Sequence, residues 1–86
     1  MYVLDQFGQK LKKGDFAVVF SSAESDAFLC EIISTDRLGN VDMLVHHMHD
    51  DSKRTQYSMN VEDMVIVKYD KKTAKRILIK EELSQD

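Results

Sequence analysis

A charged approach, a glycine and a five-residue apolar run stand together at Lys12-Lys13-Gly14-Asp15-Phe16-Ala17-Val18-Val19-Phe20. Glycine takes positive φ at no steric cost, and an apolar run this short has the length of a strand rather than of a helix. Small polar residues, Ser21-Ser22-Ala23-Glu24-Ser25-Asp26, end the run. The same rhythm of short apolar runs between turn residues continues along the chain, which predicts a meander of strands. At 86 residues the chain is expected to form a single domain, 1–86, with one small core.

Five or six strands are predicted. Tyr2-Val3-Leu4 and Lys10-Leu11-Lys12 form a small hairpin through Gln6-Phe7-Gly8-Gln9, and the second main strand covers 16–21. A strand over 27–34 follows, then Asp36-Arg37-Leu38-Gly39-Asn40, where Gly39 supplies the left-handed position of a tight hairpin. The returning strand, 41–48, puts Val41, Met43 and Val45 on one face. Thr55, Tyr57 and Met59 alternate with polar residues in the next run; Asn60 is then placed to cap a single turn, with Asp63 three residues on, ahead of Val65-Ile66-Val67. No internal repeat is apparent.

The tail supports two readings. Ala74, Ile77, Leu78 and Leu83 fall near one face of a helix, whereas Asp70-Lys71-Lys72-Thr73 followed by Arg76-Ile77-Leu78-Ile79-Lys80 reads as a turn and a lysine-flanked edge strand. The β-branched pair around Leu78 favours the strand. The expected fold class is therefore all-β, a small five- to six-stranded barrel over about 7–67 with a C-terminal strand or short helix in a basic extension, 68–86.

Composition narrows the function. No apolar run reaches the ~20 residues that span a bilayer, and Met1-Tyr2-Val3-Leu4-Asp5 has no signal-peptide pattern, so a soluble, cytoplasmic protein is expected. A lone cysteine, Cys30 between Leu29 and Ile32, suits a reducing compartment and a buried, inert thiol. Eleven acids and six bases give residues 1–67 a charge of −5, whereas Lys68, Lys71, Lys72, Lys75, Arg76 and Lys80 against Asp70 give residues 68–80 +5. A uniformly phosphate-seeking surface is not expected from this balance, whereas a local one is compatible with it. Met43, Met48, Met59 and Met64 read as core or interface filler, and Phe16, Phe20 and Phe28 as core.

The residues 11–20, Phe28-Leu29-Cys30-Glu31-Ile32-Ile33 with Gly39-Asn40-Val41-Asp42-Met43-Leu44-Val45, and Val61-Glu62-Asp63-Met64-Val65-Ile66-Val67 together resemble the Src-homology-3-type small barrels, in particular Tudor and KOW-like members. The lead-in, residues 3–15, also resembles small tailed-phage proteins, which implies an accessory phage product in the host cytoplasm. Tudor readers of methylated side chains use an aromatic cage; with no Trp and only seven aromatics, this chain departs from that pattern.

His47 and His49 would share a face of a strand, and with Asp50 or Asp51 they are weak candidates for a divalent metal. No second His or Cys cluster exists to close such a site, and no metal or cofactor is assigned. Lys71, Lys72, Lys75, Arg76 and Lys80 could meet phosphates, with Tyr69 stacking on a base; for the patch to become a footprint, Lys10, Lys12 and Lys13 have to lie on the same side. Ser21, Ser22 and Ser25 have no nucleophile-elbow context, and three glycines build no phosphate loop, so no enzyme is expected. The leading expectation is a binding module for a protein partner, using a barrel face or a strand edge. The alternative is DNA or RNA binding through the basic segment.

Overall fold

The computed structural model describes residues 1–21, 27–46 and 54–84, of which residues 21, 54, 55 and 79–84 are described by their backbone alone. Among the described residues seven strands precede one helix: β1 (Val3–Leu4), β2 (Lys10–Leu11), β3 (Phe16–Ser21), β4 (Ala27–Thr35), β5 (Asn40–His46), β6 (Arg54–Asn60), β7 (Met64–Tyr69) and α1 (Lys71–Ser84). A 3-10 turn, Val61–Asp63, joins β6 to β7, and the Asn60 side chain caps it by accepting from the Glu62 N–H. β1 and β2 make a two-stranded hairpin; the others form a five-stranded antiparallel sheet in the order β6-β5-β4-β3-β7. β6 and β7 are its two edges, so pairing among the described residues does not close the sheet into a barrel.

Alternation sets what each face buries. Ala17 and Val19 of β3, Cys30 and Ile32 of β4, Val41, Met43 and Val45 of β5, and Met64 and Ile66 of β7 share the inner face and form the main core, which Val3 and Leu11 of the hairpin complete. One irregularity keeps β4 in phase. The register passes from Ile32↔Met43 to Ser34↔Asp42, so Ile33 is an extra residue and the strand bulges there. Without it Ser34 would share the face of Ile32; with it Ser34 turns outward beside Asp42, whose carboxylate accepts from the hydroxyls of Ser34 at 2.7 Å and of Ser58.

On the outer face Phe16 and Leu29 are covered by Ala74 of α1, and Val18, Tyr69 and Leu78 pack around them. This second cluster overturns the favoured edge strand at the tail: residues 76–80 are helical. Periodicity left the tail open, and the outer-face residues decide it. Ala74 and Leu78, four apart on one helix face, pack on the cluster of Phe16 and Leu29 together. Asp70, read as a turn residue, is the start of that helix, accepting from Thr73 N (2.9 Å) and Thr73 Oγ1 (2.6 Å).

Phe20 is also placed differently from expectation. It lies on the outer face opposite Val65, and the two are 48% and 43% exposed. Phe16 is buried and Phe28 packs against the main core, as expected. Met43 and Met64 are buried and Met59 packs beside them; Met48 lies outside the described residues.

Candidate functional site: braced turns and a basic helix face

Two turns in this chain are built alike. In the first, Asp5 Oδ1 accepts from Phe7 N (2.9 Å) and Gln9 N (2.7 Å), and Asp5 Oδ2 accepts from Gln9 Nε2 (3.1 Å). In the second, Asp36 Oδ1 accepts from Leu38 N (2.8 Å) and Asn40 N (3.0 Å), and Asp36 Oδ2 accepts from Asn40 Nδ2 (2.9 Å). The backbone matches too: Gly8 N–H donates to Asp5 O and Gly39 N–H to Asp36 O, at φ of +78° and +84°. The pattern is Asp, any residue, a large apolar residue, Gly, then an amide, at 5–9 and 36–40. It is a three-residue hairpin loop whose glycine takes the left-handed position, braced by an aspartate reaching across the turn.

In both turns the middle residue is apolar and faces solvent, Phe7 74% and Leu38 79% exposed. Neither the left-handed glycine nor the carboxylate brace requires an apolar side chain there. The Leu38 turn is braced a second time from β6, since Asn60 Nδ2 donates to Leu38 O (2.9 Å) and Asn40 Oδ1 (3.1 Å), and Val61 N donates to Gly39 O (2.9 Å).

The two aspartates differ in their surroundings. Asp5 is 6% exposed and also accepts from Lys68 N of β7 at 2.8 Å, while Gln6 N donates to Ile66 O of the same strand. The first turn thus occupies outward-facing backbone groups of the β7 edge and ties the hairpin to the sheet. Burial alone would raise the Asp5 carboxyl, but the hydrogen bonds from Lys68, Gln9 and Phe7 outweigh it and hold it below its ordinary value. Asp36 is lowered chiefly by its bonds from Asn40.

The helix gathers the basic residues of the tail. Lys71, Lys72, Lys75 and Arg76 are exposed on α1: Lys72 and Arg76 lie away from the face that carries Ala74 and Leu78, and Lys71 and Lys75 flank that face. The first turn of α1 holds no acidic residue. Cations near a helix N-terminus oppose its dipole, at about 0.3–1 kcal/mol each, so helix stability does not account for Lys71 and Lys72. Asp70, lowered by its bonds from Thr73 and then by Lys72 and Arg76, offsets part of that charge.

Lys71 Nζ reaches the turn at residues 12–15, lying 3.8 Å from where a Cβ on Gly14 would stand. The same turn carries the exposed Lys12 and Lys13, and on the inner face of the sheet Lys68 Nζ stands 3.9 Å from Asp15 Oδ2. Lys10 instead sits over the Tyr2 ring, 4.7 Å from its centroid. Tyr69 is half-buried in the packing beneath α1.

Cys30 is fully buried, and burial pushes its thiol up to about 12, which makes it a poor nucleophile at neutral pH. His47, His49, Asp50 and Asp51 lie outside the described residues, as do Ser22 and Ser25. No described helix is long and apolar enough to cross a membrane. Compared with protein-family models, curated proteins and solved structures, the chain finds no match in any of the three.

The sequence reading passed over Asp5, Asp36 and Asp70 as site-forming residues. For the first two a usable signal exists: Asp5-Gln6-Phe7-Gly8-Gln9 and Asp36-Arg37-Leu38-Gly39-Asn40 align position by position.

Proposed function

We propose that this chain is a non-enzymatic binding module of the Src-homology-3 type that engages a protein partner. Strand order supports the architecture: β3 to β6 run as a meander, and a 3-10 turn leads into β7, which returns to pair with β3. The observation that carries the binding reading is the pair of braced turns, each presenting a large apolar side chain to solvent from a backbone fixed by hydrogen bonds. A turn whose backbone is already ordered loses less entropy on binding, and buried apolar anchors dominate interface energetics. Leu38 stands beside the end of the edge strand β6, whose Gln56, Tyr57 and Ser58 are exposed. A partner strand added to β6 would therefore run next to an anchor. The resemblance of residues 3–15 to small phage proteins makes host machinery the place to seek the partner.

The test is affinity capture from a host lysate with the wild-type chain and the double variant Phe7→Ser/Leu38→Ser. Both side chains are mostly exposed, so the variant is expected to melt like the wild type. Wild-type protein should recover a saturable partner, and the variant should bind it at least tenfold more weakly. Equal capture by both, or no saturable partner for the wild type, refutes the reading.

A further inference from the structure

We infer that the exposed side of α1, together with the turn at residues 12–15, is a docking surface for the phosphate backbone of a nucleic acid. This surface does not depend on the braced turns. Its parts are Lys71, Lys72, Lys75 and Arg76 on the helix and Lys12 and Lys13 on the turn. Among the described side chains Asp15 and Asp70 are the carboxylates next to it; Asp70 is engaged by Thr73 and Asp15 Oδ2 accepts from Lys12 N at 3.0 Å.

Three observations combine. The tail is a helix, so Lys72 and Arg76 project away from the face that docks Ala74 and Leu78 on the sheet, and Lys71 and Lys75 border the same exposed arc instead of alternating between two sides as on a strand. Lys71 bridges to Gly14 and joins two basic segments 57 positions apart in sequence into one patch. Lys71 and Lys72 stand in the first turn of the helix, where the dipole disfavours cations, so the dipole does not account for them. A polyanion with regularly spaced charges fits such a patch, and phosphodiester backbone offers one negative charge per ~1.7 Å of duplex. With Tyr69 packed beneath α1, the surface as described offers charge rather than a stacking platform, so binding should be insensitive to sequence.

The test is fluorescence anisotropy of labelled 20-nucleotide single-stranded DNA, duplex DNA and RNA, titrated with the full chain. The three oligonucleotides share the phosphate chemistry, and their relative affinities identify the source. Four to five phosphate contacts on a duplex predict a loss of roughly a hundredfold or more between 50 and 200 mM salt. Lys72→Ala/Lys75→Ala/Arg76→Ala should weaken binding more than tenfold with an unchanged circular-dichroism melt. Lys12→Ala/Lys13→Ala, on a separate element, should weaken it and flatten the salt dependence. No binding to any of the three at 25 mM salt overturns the inference, and so does triple-variant affinity equal to wild type. Binding to vesicles containing 30% phosphatidylserine without binding to the oligonucleotides overturns it in favour of a membrane surface.

Discussion

Replacing Asp5 by alanine tests the link between the N-terminal hairpin and the sheet, because the second braced turn supplies a control with the same local chemistry. Asp5→Ala strands three backbone N–H groups, those of Phe7, Gln9 and Lys68. A donor left without a partner in a part-buried site costs about 1 kcal/mol, so the sum is about 3 kcal/mol. The bonds Asp5 N to Gln9 O and Gln6 N to Ile66 O involve main chain only and remain available. A domain of this length has roughly 4–13 kcal/mol in total, at about 0.05–0.15 per residue, so the loss is a large share of it. Urea unfolding followed by far-ultraviolet circular dichroism should show the midpoint falling by about 3 M, taking a slope near 1 kcal/mol/M. Asp36→Ala removes the equivalent bonds within its own turn, in a more exposed setting without the tie to β7, and should move the midpoint much less. Equal shifts for the two variants, or a shift under about 1 M for Asp5→Ala, would refute the bridging role.

Further outcomes follow from the same geometry. The Asp5 carboxyl is depressed in the folded state, so its contribution is complete above the usual aspartate value of about 3.9 and disappears as pH falls through the lower folded value; Asp5→Asn should flatten this part of an acid titration of stability. Gly8→Ala and Gly39→Ala both force alanine to positive φ, at about 1–2 kcal/mol, but only at Gly39 would the Cβ stand 3.0 Å from Val61 Cγ2, so its melting temperature should drop further. Ala74→Glu places a charge at a fully buried contact with Phe16 and Leu29, and should release α1, seen as lost helical signal while the sheet persists. Cys30 should resist thiol reagents at pH 8 in the native protein and react at once in denaturant.

Much of the strand layout was legible because it is local. Alternation in Val41, Met43 and Val45, the short run at residues 16–20 and the glycines at 8 and 39 mark strands and turns whatever the rest of the chain does. The braced turn is local as well, five residues long and written twice, and comparing the two segments would have revealed it. What tertiary structure alone decided is the fate of residues whose local patterns permit two outcomes. Residues 76–80 satisfy both a strand and a helix, and the helix prevails because Phe16 and Leu29 cluster on the outer face, where Ala74 and Leu78, four apart, pack on them from one helix face. Phe20, two positions beyond Val18 on that face, stays half-exposed, and no count along the sequence shows where the helix cover falls. The two braced turns state the division most plainly. Their sequences and hydrogen bonds correspond, yet Asp5 is buried and binds β7 while Asp36 remains partly in solvent, because the strand that passes Asp5 comes from 63 positions away in the chain.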